Sequence, residues 1–81
     1  MVELADMQLF VRAVAAGSLS AAGRELNLSP AVASKRMSRL EQRLGVRLLQ
    51  RSSRRLVLTA EGADYWQRVS AILADLDEAH A

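Results

Sequence analysis

The sequence predicts a mainly α fold: three helices, a two-stranded β-hairpin, and a long closing helix. Three observations carry the prediction. Apolar residues recur at spacings of three and four in three separate segments. A Ser-Pro pair at 29–30 marks a sharp helix start. Two short β-prone runs, 46–50 and 56–59, flank the polar stretch Arg51-Ser52-Ser53-Arg54-Arg55.

The elements follow in order. Leu4, Met7, Phe10, Val11 and Val14 lie on one face of a helix over about 3–16, which Gly17 is placed to end. Ser18 is a cap for a second, short helix that runs to Glu25 or Leu26. Its Ala21 and Ala22 are small enough to let another helix come close. Asn27-Leu28 is a tight connection. Ser29 then caps a third helix that starts at Pro30, the one proline in the chain, and stops near Leu44 before Gly45. Proline is tolerated there because the first helical N–H has no partner within the helix. Ala33, Met37, Leu40 and Leu44 form the apolar stripe of this helix. Ala31, Ser34, Lys35, Ser38 and Gln42 lie opposite, with Arg39 near the edge. After the hairpin, Thr59 caps a last helix that reaches about His80, with Glu61 in its first turn. Gly62 takes the place where a capping box needs Glu or Gln. Trp66, Val69, Leu73, Leu76 and His80 step by three and four along this helix, and Tyr65, Ile72 and Ala79 widen the seam.

Charge is distributed unevenly. Of 81 residues, the segment 24–55 holds nine basic side chains (Arg24, Lys35, Arg36, Arg39, Arg43, Arg47, Arg51, Arg54, Arg55) against Glu25 and Glu41. Residues 56–81 hold Arg68 against five acids, and residues 1–23 hold Arg12 against Glu3 and Asp6. A positive middle between negative ends implies one face that attracts polyanions. Arg outnumbers Lys ten to one, and its planar fork matches phosphates and guanine edges. A merely solvated charged face is the bland alternative, weakened by the Ser-Pro start, the Ala-rich preceding helix and the basic hairpin.

Other chemistries find little support. There is no Cys, and His80 is the single histidine, so neither a disulfide framework nor a metal site is expected. No nucleophile–base pair, carboxylate dyad or Gly-rich phosphate loop appears, so an enzyme is not expected, and no cofactor is implied. The longest uncharged stretch, 13–23, is too short to span a bilayer, and the acidic start lacks the basic residues of a signal peptide; a cytoplasmic location is the expectation. A helix pair followed by a basic ribbon points instead to duplex DNA. In that reading Pro30, Ala31, Ser34, Lys35, Ser38 and Arg39 present the third helix to the major groove. Arg54 and Arg55 reach a minor groove from the hairpin tip, and Arg51 and Arg47 meet phosphates, or Glu41 and other local acids. Trp66, Val69, Ile72, Leu73 and Leu76 would pair with a second copy of the last helix, Trp66 and Val69 in part packing back on the domain, since at about 1.5 Å per residue the helix is longer than the body it leaves.

These residues also resemble a known family. The run 18–45, SLSAAGRELNLSPAVASKRMSRLEQRLG, and the run 48–62, LLQRSSRRLVLTAEG, are similar to the amino-terminal domain of LysR-type transcriptional regulators. The resemblance covers nearly the whole chain. It implies a winged helix-turn-helix over 1–58 and a linker helix over 59–81 that forms a homodimer. It further implies an operator with partial two-fold symmetry, a tetramer in the full-length protein, and a small-molecule effector bound by a separate domain that this chain lacks. By position, the resemblance assigns base contacts to Pro30, Ala31, Ser34 and Lys35, and the wing contact to Arg54. The family's commoner Gln-Pro after the capping Ser is replaced by Pro30-Ala31, Lys35 stands where Arg is usual, and Leu49 stands where an aromatic is common. Apolar contacts and DNA shape are therefore expected to weigh more than direct readout. The rival readings are a winged-helix regulator of another family, and a helical module whose basic face binds an acidic protein.

Overall fold

The computed structural model describes residues 1–50 and 55–81. Four helices appear in chain order: α1 (Leu4–Ala16), α2 (Leu19–Glu25), α3 (Pro30–Leu44) and α4 (Ala60–Ala79). The caps follow the sequence signals. The Ser18 hydroxyl accepts from the Ala21 N–H, Ser29 from Val32, and Thr59 from Gly62. Gly17 and Gly45 close α1 and α3 at φ 71° and 72°, where a side chain would be strained. Asn27 takes φ 60° in the α2–α3 turn, a conformation its side chain tolerates better than most.

α1 is the central strut, packed against α2, α3 and α4. The core joins Leu9, Phe10 and Ala13 of α1 to Ala22 of α2, Ala33, Met37 and Leu40 of α3, and Leu48 and Leu49 beyond it. Tyr65 of α4 stacks at a tilt on Phe10, ring centroids 5.6 Å apart. α2 and α3 meet at a separation that a second alanine would crowd. A Cβ at Gly23 would stand 3.1 Å from that of Ala33 and 3.3 Å from the Leu28 carbonyl oxygen. Ala22 is buried as expected, but Gly23 is the residue that sets the spacing.

The two-stranded hairpin is not seen as such. Among the described residues its pairing is a single antiparallel bridge, Leu49 to Leu58. Two backbone hydrogen bonds flank it, Gln50 N–H to Val57 and Thr59 N–H to Leu48. Beside that bridge the N–H groups of Leu48 and Leu49 both donate to a carboxylate oxygen of Glu41, at 2.8 and 3.2 Å. Arg51 and Arg54 at the hairpin tip lie outside the described residues. No helix among the described residues is long and apolar enough to cross a membrane.

Candidate nucleic-acid interface

The third helix carries the site. Its first turn is fixed by Pro30 and by the 3.2 Å bond from Val32 N–H to the Ser29 hydroxyl. Ala33, Met37 and Leu40 anchor one side in the core with no exposure. On the other side Pro30, Ala31, Ser34, Lys35 and Gln42 are exposed and Ser38 is half-buried. The sequence-derived polar face of α3 thus stands outward along its length. Val32, 41% exposed, extends it into an apolar lip with Pro30 and Ala31; sequence reasoning did not single it out.

Arg39 requires a correction. It was expected to face DNA, yet its fork is held by acids of the amino-terminal segment. Its Nε and Nη2 donate to the two carboxylate oxygens of Asp6 at 2.9 and 2.8 Å, and Nη2 also lies 2.9 Å from Glu3. Asp6 is only 1% exposed. A bidentate charge-assisted pair of this kind locks orientation as well as charge. The hydrogen bond to Asp6 raises the Arg39 pKa further above its ordinary value, against a smaller opposing effect of desolvation. The carboxylate also satisfies the need of a buried charge for a partner.

Glu41, one residue past Leu40, is the second functional side chain that sequence reasoning passed over. It is 7% exposed and joins α3 to the base of the wing through Leu48 and Leu49. Two further contacts fix that base. The Thr59 hydroxyl donates to the Arg47 carbonyl while accepting from Gly62 N–H. Gly62 lies so close that a Cβ there would fall 2.1 Å from the Leu48 carbonyl oxygen. Arg43 ties the far end of α3 to the Met1 carbonyl at 3.0 Å. The wing side chain of Arg55 is exposed.

Along α4, Trp66 is 36% and Ile72 54% exposed, while Leu73 and Leu76 are half-buried. Val69 is a second correction: at 2% exposure it is covered by its own domain and is not open to a second copy. The inward-facing position follows from the packing of α4 on α1. Among the described residues no group of three His, Cys, Asp or Glu side chains is placed to hold a metal ion.

A short helix, a left-handed turn at Asn27, and a second helix with Lys35 exposed on its outward face together define a helix-turn-helix domain. The model of the bacterial regulatory helix-turn-helix proteins of the lysR family matches residues 4–63, and the chain belongs to that family. It is 42% identical over 77 residues to an HTH-type transcriptional regulator of Haemophilus influenzae, covering 95% of this chain and 27% of that protein. It is 41% identical over 71 residues to the HTH-type transcriptional regulator CrgA of Neisseria meningitidis, covering 88% of this chain and 24% of that protein. Its fold superposes on the crystal structure of BenM DBD in complex with catB site 1 DNA. The TM-score there is 0.89 at 32% identity, over 94% of this chain and 82% of that one. The CbnR DBD–DNA complex gives 0.86 at 32% identity, over 96% and 90%. The chain spans about a quarter of the length of the curated relatives it matches.

Proposed function

We propose that the domain reads an operator with partial two-fold symmetry as a homodimer. The first turn of α3 enters the major groove, Pro30 and Ala31 against thymine methyl groups, Ser34 and Lys35 at base edges or phosphate, and Ser38 on the backbone. Arg54 and Arg55 engage the adjoining minor groove and Arg51 a phosphate. The observation that carries this reading is the outward polar face of α3, held from behind by the core and from two flanks by Asp6 and Glu41. A helix fixed on three sides meets a groove with little reorganisation, and preorganised contacts give more affinity for the same area.

Residues 1–58 serve as the DNA reader and 59–81 as the linker that pairs two copies through Trp66, Ile72, Leu73 and Leu76. In the full-length protein we expect a tetramer, acting in the cytoplasm, and control by a small effector bound outside this chain. The test is a selection of duplex fragments from a random pool, with the enriched sequence searched for a two-fold repeat. On the enriched duplex, Lys35→Ala and Arg54→Ala should each cost on the order of 1–3 kcal/mol at fixed salt. Unchanged affinity in both variants would overturn the assignment.

A further inference from the structure

One cation of the DNA-facing helix is held back by acids. Arg39 lies four residues after Lys35, so the two share a helical row. A free arginine there would add a phosphate contact to any duplex the helix approached. Instead its guanidinium is gripped by Asp6 and Glu3. The cluster of one arginine and two carboxylates carries a net negative charge, not a positive one. Asp6 is anchored in the body by its burial, whereas the Glu3 and Arg39 side chains keep 54% and 38% exposure. The grip therefore stands at the surface, beside the face α3 presents.

We propose that Asp6, assisted by Glu3, withholds Arg39 from DNA phosphates, so that the domain stays on a duplex only where base contacts supplement the remaining cations. Asp6 is on this view a positioning residue that acts through Arg39. Phosphate contacts supply sequence-independent affinity, and each one neutralised steepens the salt dependence of binding by about 0.9 in log–log slope. Removing one such contact lowers the affinity for every duplex alike, so a duplex that offers no base contacts no longer holds the domain. The direction of the Arg39 pKa, raised by the bond to Asp6, agrees with a guanidinium occupied by carboxylate.

This inference rests on α3 being the DNA-facing helix, and the experiment separates the two. Binding of the chain to a random-sequence duplex and to its selected duplex is titrated across a salt series. Circular dichroism confirms the fold of each variant. Arg39→Gln should leave the slope on random duplex as it is. Asp6→Asn should steepen that slope by about 0.9 and tighten random-duplex binding by up to about eight-fold at 0.1 M salt. Asp6→Asn combined with Arg39→Gln should return the slope to that of the unaltered chain, a reversal that a merely structural role would not produce. Glu3→Gln, which leaves the core untouched, should give a smaller shift in the same sense and serves where Asp6→Asn fails to fold. A slope that flattens by about 0.9 in Arg39→Gln would show that Arg39 already contacts phosphate and would overturn the inference alone. Failure of the unaltered chain to bind either duplex would overturn the DNA-facing reading with it.

Discussion

At the scale of single residues, the tightest constraint is the hydrogen that serves as the side chain of Gly62. A methyl group there would sit 2.1 Å from the Leu48 carbonyl oxygen and 2.9 Å from its carbon. Backbone on both sides leaves no flexible side chain to yield. Gly62→Ala is expected to destabilise the domain by about 3 kcal/mol, read as a lower midpoint in urea. Tyr65 gives a pH signature. Burial, with a smaller effect of Asp6, raises its pKa above the ordinary value. The folded state therefore favours the protonated phenol. That stabilisation is complete below the unfolded pKa of about 10 and is lost as pH rises through the folded value. Thermal melts between pH 9 and 11.5 should show stability falling faster for the native chain than for Tyr65→Phe. Ser29 and Pro30 were legible from sequence because caps are local chemistry. Asp6 was not: it entered only as one acid of the negative amino-terminal segment, and its partner stands 33 residues away. Gly62 was visible only as a gap where a capping box should have been.

At the scale of elements, the helices were the easy part. The α3 bounds come out as read, and those of α1, α2 and α4 within a residue, since each has a side-chain cap or a terminating glycine. The hairpin was harder. Its β-prone residues are present, but among the described residues they pair at one bridge, and Glu41 takes the N–H groups of Leu48 and Leu49 beside it. Nothing in residues 46–50 announces a competitor placed on the preceding helix. Leaving those two buried donors unmet should be costly, about 1–3 kcal/mol each. Glu41→Ala is expected to speed amide hydrogen exchange at Leu48 and Leu49 more than at Leu40 in α3. Equal protection in variant and native chains would deny Glu41 its role at the wing base. The seam of α4 was read correctly as a period and incompletely as a surface. Periodicity alone did not separate Val69, covered by its own domain, from exposed Ile72.

At the scale of the whole molecule, the charge asymmetry in the sequence indicated a cationic surface but not which cations are available. Arg12 pairs with Glu25 at 3.2 Å, Arg39 with Asp6 and Glu3, and Arg68 with Asp64 at 3.1 Å. Such pairs arise from folding, so a count of residues overstates the charge that a ligand would meet. The proposed dimer is tested at this level. Ile72→Glu places a charge on the open part of α4 and is expected to shift sedimentation toward a monomer at tens of micromolar while leaving the helical signal intact. An unchanged mass would move the interface elsewhere. The joint between α4 and the wing base also bears on how such a reader can be transplanted. Gly62 against Leu48, Tyr65 against Phe10 and buried Val69 make the first half of α4 part of the reader's own foundation. A chimera spliced at residue 58 would strip that foundation away. A junction placed past Val69 would carry it along, so transfer of this helix-turn-helix to another chain should succeed only with the longer graft.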